Sequence, residues 1–203
     1  MKKITTLLAT LALLLGVIPS TTAIDYTETI SAVVYLESYT STDDEWVSQG
    51  TGFIISVDAI ILTAAHVILD EDTHEPMEYV DICTIDDEYS IPDCKYSGRI
   101  LAFDEYLDLA LLYPAYELDE YREETGEFIE LEDAKNLNLP YVDLADYNPS
   151  LGDNLSVLGF PAASATPTIT LSTGIVSGYT PLSLLFPELQ DSEWIWEIET
   201  DAA

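Results

Sequence analysis

Short runs of apolar and β-branched residues alternate along the chain with clusters of polar turn residues. None of these runs keeps a helical period for long enough to predict an extended helix. Short strands at this spacing are typical of a β-barrel or β-sandwich, so the pattern predicts an all-β fold. The predicted strands fall within residues 30–36, 50–69 (a hairpin of two strands), 79–85, 94–103, 108–113, 154–161, 168–178 and 194–199.

The predicted hairpin, residues 50–69, reads GTGFIISVDAIILTAAHVIL. Ser56, Val57 and Asp58 are the turn between its two strands. The second strand is predicted to end in Thr63-Ala64-Ala65-His66, where two small residues leave space around the histidine ring. A lone histidine is more often a packed or surface residue than a catalytic one, so the residues around His66 have to decide its role.

A histidine that acts as a general base needs a carboxylate on its other ring nitrogen and a nucleophile whose proton it can take. Asp108 stands at the head of the apolar run Leu109-Ala110-Leu111-Leu112. A carboxylate there loses solvation unless it is hydrogen-bonded, which favours a partner for it. Asp104 is the nearest competitor, but its position fits a turn residue better. We therefore predict Asp108 as the carboxylate that orients His66.

Several motifs resemble, in the same order, those of chymotrypsin-like serine proteases, and within them the exported HtrA (Deg) branch. The resemblance covers roughly residues 30–203, apart from an acidic insertion. Its motifs are Gly-Thr-Gly-Phe-Ile-Ile, Leu-Thr-Ala-Ala-His-Val, Asp-Leu-Ala-Leu-Leu, Pro-Ser-Leu-Gly-Asp, Val-Leu-Gly-Phe-Pro, Thr-Gly-Ile-Val-Ser-Gly and the final Thr-Asp-Ala-Ala.

The resemblance implies a double six-stranded β-barrel of chymotrypsin type and a serine endopeptidase. In such an enzyme His66 would be the general base and Asp108 its orienting partner, a serine would be the nucleophile, and no cofactor would be needed. Protein or peptide substrates would be its partners, and an oligomer of unknown order is compatible with the family. The alternative is a non-catalytic barrel that binds peptides or partner proteins.

One part of the family pattern is missing from the sequence. No Gly-x-Ser-Gly-Gly motif, which would supply the nucleophile and the oxyanion hole, occurs in the 203 residues. Ser177, between Val176 and Gly178, is better interpreted as a strand-bend residue than as a substitute. We expect that the chain is the N-terminal part of an enzyme, that its second barrel is incomplete, and that it is inactive by itself.

The N-terminus has the layout of a secretory signal peptide. Lys2 and Lys3 precede an apolar run over residues 4–17, and small residues lead to a cleavage site after Ala23. An uncleaved anchor is the alternative, although the apolar run is short for a membrane span. We expect a secreted, periplasmic or cell-envelope protein. The predicted organisation is a signal peptide at 1–23, a first barrel at 24–114, an acidic linker at 115–138 and a partial second barrel at 139–203.

The charge balance limits the classes of partner that the protein can bind. With 38 acidic and six basic residues the net charge is −32, which repels nucleic acid and anionic membranes. The strong charge favours cationic substrates or Ca²⁺. However, the runs Asp70-Glu71-Asp72 and Asp86-Asp87-Glu88 lack the spaced ligands of a dedicated calcium loop, so an acidic calcium-binding protein is a weaker alternative.

The two cysteines, Cys83 and Cys94, flank acidic and turn-like residues in an exported chain. This arrangement predicts a disulfide across a hairpin, with a stabilisation of about 2–3 kcal/mol on the chain-entropy estimate. Two cysteines without a paired histidine spacing argue against a zinc site, so no metal site is predicted.

Overall fold

A computed structural model describes residues 26–40, 46–118, 129–145, 148–161, 166–181 and 196–200. The predicted signal peptide at 1–23, most of the acidic insertion and the final Thr-Asp-Ala-Ala motif from Asp201 lie outside the described residues. Among the residues that are described, no helix is long and apolar enough to cross a membrane.

Strands dominate the described chain, as predicted. Two single-turn α-helices and one 3-10 helix at Ala134–Leu137 accompany them. The helices are α1 (Thr27–Ile30) and α2 (Ala65–Ile68); the strands are β1 (Val33–Tyr39), β2 (Trp46–Ile54), β3 (Ile61–Thr63), β4 (Tyr79–Thr84), β5 (Asp93–Asp104), β6 (Leu109–Glu117), β7 (Ile129–Glu130), β8 (Asn154–Gly159), β9 (Thr170–Pro181) and β10 (Trp196–Thr200).

Six antiparallel strands close into a barrel. The strand order is β3-β2-β1-β4-β5-β6, and pairing of β3 with β6 closes the circle, while β7 adds to the far end of β6. The closing register joins Ile61 to Leu112 and Thr63 to Ala110. This closure removes the free edges of the sheet and confirms the prediction of an all-β, chymotrypsin-type first barrel.

Strand β1 is buried on both faces because it separates two apolar clusters. Val34 and Leu36 point into the barrel, where they belong to a core that also contains Ile54, Ile61 and Leu112. The alternate residues Val33 and Tyr35 point outward into a second cluster with Phe160. Near this strand, a Cβ on Gly52 would lie 2.7 Å from Ile61 Cγ2, so only glycine fits the close approach.

The second half of the chain forms a three-stranded antiparallel sheet in the order β10-β9-β8. Phe160 follows β8 directly and joins this sheet to the barrel. Its backbone N–H donates to Thr51 Oγ1 at 2.8 Å, and its ring meets the Tyr35 ring edge-on at a centroid distance of 5.3 Å. The predicted second barrel is thus represented by three strands among the described residues.

The predicted disulfide between Cys83 and Cys94 is confirmed and joins register partners on β4 and β5. Strand β6 continues through Pro114 to Glu117, beyond the boundary predicted for the linker at residue 115. The domain boundaries themselves stay a prediction.

Candidate active site

His66 lies in the one-turn helix α2 rather than at the end of a strand. The prediction that the second hairpin strand runs to His66 is wrong, because β3 ends at Thr63 and the helix starts at Ala65. The neighbours Ala65, Val67 and Ile68 are buried and anchor the turn in the barrel core. The side chain of His66 is 71% exposed, so the imidazole faces solvent while the backbone of the turn is held by its buried neighbours.

Asp108 closes the turn between β5 and β6 with a left-handed backbone conformation, at a φ of 49°. Aspartate is one of the few non-glycine residues that adopt this conformation readily. Asp104, at the end of β5, stabilises the same turn, because its Oδ1 accepts the backbone N–H groups of Tyr106 and Leu107 at 2.9 and 3.0 Å. This confirms Asp104 as the turn residue and leaves Asp108 free to face α2.

The carboxylate of Asp108 holds His66 at two points. Asp108 Oδ2 lies 2.7 Å from His66 Nδ1, and Oδ1 accepts the backbone N–H of His66 at 2.9 Å. The second bond satisfies one of the N–H groups that a helix leaves unpaired at its first turn. Two bonds from one carboxylate fix both the backbone position of His66 and the rotation of its ring.

The pairing with Asp108 determines what the imidazole can do. An ionised carboxylate only accepts hydrogen bonds, so the proton of the neutral ring is on Nδ1 and the lone pair is on Nε2. Nε2 is the nitrogen that takes a proton from a nucleophile in His–Asp catalysis. The geometry is therefore that of a general base with its orienting carboxylate.

His66 and Asp108 line a cavity of about 520 Å³. A second histidine, His74, lines the same cavity, and its Nδ1 lies 3.6 Å from Glu105 Oε2. Carboxylates and imidazoles are the titratable groups of the lining, and no lysine or arginine belongs to it among the described residues. Among the described residues, the lining consists of Ser48, Ala65, His66, Leu69, Asp70, Glu71, His74, Met77, Glu105 and Asp108.

Comparison with known proteins identifies the family to which this chain belongs. The family model described as a trypsin-like peptidase domain matches residues 50–203. The chain belongs to the trypsin-like peptidase family. A search of curated proteins finds no match.

Three solved structures share the fold. A protease from M. tuberculosis in its active form aligns with a TM-score of 0.51 and 20% identity, over 75% of this chain and 50% of its own. The serine endoprotease from Yersinia pestis aligns with a TM-score of 0.51 and 22% identity, over 76% of this chain and 45% of its own. Deg5 aligns with a TM-score of 0.54 and 25% identity, over 88% and 71%. These neighbours confirm the predicted likeness to Deg-type serine proteases, and this chain spans about half the length of the first two.

The serines of this trypsin-like peptidase do not complete a triad within the described residues. Ser177 lies exposed in β9 and does not line the cavity. Ser48 does line it, but its hydroxyl donates to the backbone carbonyl of His66 at 3.4 Å rather than to the ring. No hydrogen bond joins a serine hydroxyl to the His66 ring in the part of the chain that the structure describes.

Sequence reasoning missed Ser48, His74 and Glu105 as lining residues. His74 lies in the acidic loop of residues 70–75, where its neighbours gave no pattern for a site residue, and Glu105 is the first residue of the turn that carries Asp108. No local pattern relates the two residues, because the barrel alone brings this loop beside the β5–β6 turn. Ser48 could have been found only from the way β2 packs against α2, which brings Ser48 beside His66.

One carboxylate in each of the two acidic runs considered for calcium accepts hydrogen bonds within a local turn. Asp70 Oδ1 accepts the backbone N–H of Thr73 at 2.8 Å and its hydroxyl at 2.9 Å, and these bonds lower the pKa of the Asp70 carboxyl. Asp87 Oδ1 accepts the Ser90 hydroxyl at 2.8 Å and the Tyr89 N–H at 2.9 Å, which likewise lowers the pKa of Asp87. Both carboxylates order their loops.

Proposed function

We propose that this trypsin-like peptidase is a serine endopeptidase of proteins or peptides in which His66 is the general base and Asp108 orients it. The bidentate contact of Asp108 with the ring and backbone of His66 carries the proposal. In the reaction, Nε2 of His66 would take the proton of a serine hydroxyl as that oxygen attacks the scissile carbonyl. The resulting imidazolium would then donate the proton to the leaving amine.

In the proposed enzyme, the nucleophilic serine would come from a segment outside the 203 residues. The family resemblance assigns that serine to a Gly-x-Ser-Gly-Gly motif, which the sequence does not contain. The 71% exposure of the His66 side chain supports this arrangement, since the ring is open to a serine from another segment. Residues 1–203 alone would therefore hydrolyse no peptide bond.

The test compares the product of the natural gene with a protein limited to residues 1–203. Both are incubated with a fluorogenic protein substrate and, separately, with a fluorophosphonate that labels activated serines. The natural product is expected to cleave the substrate and to be labelled, whereas residues 1–203 do neither. In the natural product, His66→Ala should abolish cleavage and labelling, whereas His74→Ala, a change of the second histidine in the same cavity, should leave a folded and active enzyme.

Two outcomes would contradict the proposal. Cleavage that survives His66→Ala would exclude His66 as the general base. A folded natural product that binds peptides but neither cleaves nor is labelled would support a non-catalytic peptide-binding barrel instead.

We also propose that the protein is exported to the cell envelope or beyond, without any role for nucleic acid. The basic, apolar and small-residue order of residues 1–23 supports this location, and the disulfide suits an oxidising compartment. Mass spectrometry of the mature protein is expected to find an N-terminus at Ile24. A mature chain that begins at Met1 would favour the uncleaved anchor.

A further inference from the structure

Three metal-ligating side chains meet on the outward face of the barrel sheet, where Cys83 is part of the buried cluster that contains Phe160, and none of the three lines the cavity at the candidate active site. The ligand atoms of Glu37, Cys83 and Cys94 all lie within 4.8 Å of one another. No other group of three or more such side chains is this close among the described residues. In the structure the two sulfurs form a disulfide.

The strand register explains why these side chains converge. Tyr35 on β1 pairs with Cys83 on β4, and Cys83 pairs with Cys94 on β5. The three residues form a row across the sheet, and Glu37 follows Tyr35 on the same face of β1 because side chains alternate along a strand. The three ligand groups are therefore held by the backbone of a closed barrel rather than by a loop.

We propose that reduction of the Cys83–Cys94 disulfide turns this row into a binding site for a thiophilic divalent cation such as Zn²⁺, with the two cysteine sulfurs and a Glu37 carboxylate oxygen as ligands. This site is independent of the peptidase reaction proposed above. It departs from the sequence-based expectation of no metal site because β1 supplies a third ligand that the cysteine spacing does not reveal.

The chemistry balances with a small dithiol as the reductant. The dithiol gives two electrons and two protons to the disulfide, which yields two cysteine thiols, and is itself oxidised to a cyclic disulfide. Zn²⁺ then displaces the two thiol protons to solvent and forms two Zn–S bonds and one Zn–O bond. A water molecule completes the tetrahedral coordination that Zn²⁺ adopts with such ligands.

The distances favour coordination once the sulfur–sulfur bond is broken. Tetrahedral Zn²⁺ with Zn–S bonds of about 2.3 Å separates two sulfurs by roughly 3.8 Å. Cys83 and Cys94 are direct register partners on paired strands, where opposite side chains lie close enough together for that separation. Glu37 is already beside them.

The electrostatic surroundings also favour a cation. Asp81 on β4 is 6% exposed and pairs in register with Glu37, so a second carboxylate adjoins the site. Two thiolates would add further negative charge, and a divalent cation offsets it.

The experiment uses Co²⁺ as a spectroscopic probe for the Zn²⁺ site. The protein is prepared oxidised and, in parallel, reduced with a dithiol that is removed without oxygen before titration. The reduced protein is expected to bind one Co²⁺ per chain with near-ultraviolet thiolate-to-cobalt charge transfer, and Zn²⁺ should displace it. The oxidised protein should show no such band, since imidazole and carboxylate sites elsewhere do not produce it.

Two variants assign the ligands. Reduced Glu37→Gln should bind Co²⁺ at least about tenfold more weakly, because loss of even an outer partner of a metal ligand usually costs 10–100-fold in affinity. Glu28→Gln, the same charge change at an exposed position of α1, should bind like the parent. The double variant Cys83→Ser with Cys94→Ser should lose the charge-transfer band.

Each remaining outcome overturns the proposal or part of it. A reduced, folded protein without the charge-transfer band would exclude the site. Equal affinity of Glu37→Gln and the parent would remove Glu37 from it. If reduction unfolds the protein, as circular dichroism would reveal, Zn²⁺ is expected to restore the fold, because a cation that binds only the folded state stabilises it. Failure of Zn²⁺ to do so would also refute the site.

Discussion

The closed barrel and the three-stranded sheet differ in how their strands are covered. In the barrel, β1 is buried on both faces, and the side chains of Leu36, Ile82 and Leu112 are completely inaccessible. In the sheet, Val157, Leu171, Ile175 and Ile198 are between 40% and 51% exposed. Among the described residues of the sheet strands, Val176 alone is buried.

This difference explains where the candidate chemistry lies. A histidine on a four-residue helix is well placed only if the residues around it cannot move, and α2 is anchored by buried neighbours in the barrel core. The β5–β6 turn that carries Asp108 joins two long strands of the same barrel. The closed region therefore fixes the base and its carboxylate, whereas the open sheet contributes neither.

The largest effect is expected from Asp108→Asn in the proposed endopeptidase. An amide at this position can donate to Nδ1 and favour the wrong ring tautomer, so kcat should fall by roughly 10⁴. Steady-state hydrolysis of a fluorogenic substrate measures the loss. Asp104→Asn, the matched change at the other end of the turn, should leave kcat close to that of the parent. Equal losses in both variants would indicate that the turn as a whole, rather than the contact with His66, supports activity.

The second test compares one leucine of each region. Leu112→Ala removes a fully buried side chain from the barrel core and should lower the free energy of unfolding by about 2–5 kcal/mol. Leu171→Ala removes a side chain that is 46% exposed in the sheet and should cost less than about 1 kcal/mol. Urea denaturation monitored by circular dichroism gives both values. Similar costs would mean that the sheet is covered as well as the barrel.

The connection between the two regions can be weakened by Thr51→Val. The variant keeps the shape of the side chain but removes the oxygen that accepts the Phe160 N–H at 2.8 Å. Leaving that buried N–H without a partner should cost about 1–3 kcal/mol in the same denaturation experiment. Thr173→Val, at an exposed position of β9, is the control and should change stability by no more than about 0.5 kcal/mol. If Thr51→Val were as mild as the control, Thr51 would not join the regions energetically.

The alternation of apolar residues allowed the barrel strands and Asp108 to be predicted from the sequence. A carboxylate next to Leu109-Ala110-Leu111-Leu112 is conspicuous because the run is apolar and its alternate residues are buried, and the prediction needed no long-range contact. The end of β3 was misjudged because the apolar run continues through Val67 and Ile68, which are as buried in the helix as they would be in a strand. Periodicity over so few residues cannot separate the two structures.

Other features depend on contacts that no local pattern encodes. His74 meets Glu105 only because closure of the barrel brings two distant loops together. Glu37 joins the cysteines only through the register of β1 and β4. Strand β6 was predicted too short because a proline usually suggests the end of a strand. In the structure Pro114 pairs with Gly98 beside an irregularity in the register, where the missing N–H of proline is tolerated.

The smallest effect concerns the acidic loop beside the cavity, which is ordered by hydrogen bonds rather than by burial. Bonds from Thr73 lower the pKa of Asp70 below its ordinary value of 3.8 in the folded protein. A lowered pKa stabilises the fold above that ordinary value, and the contribution disappears as the pH falls through the folded-state pKa. Asp70→Asn should therefore be less stable than the parent at neutral pH and should lose the difference in acid.

Thermal denaturation of Asp70→Asn and the parent between pH 7 and pH 2 measures this difference, with Asp72→Asn as a control for loss of one negative charge. The other acidic residues lose their charge in the same range, so only the gap between the two curves reports on Asp70. A gap that stays constant down to pH 2 would mean that an uncharged oxygen orders the loop equally well. In that event the loop would need neither burial nor charge, and the contrast with the barrel, where burial fixes His66, would become sharper.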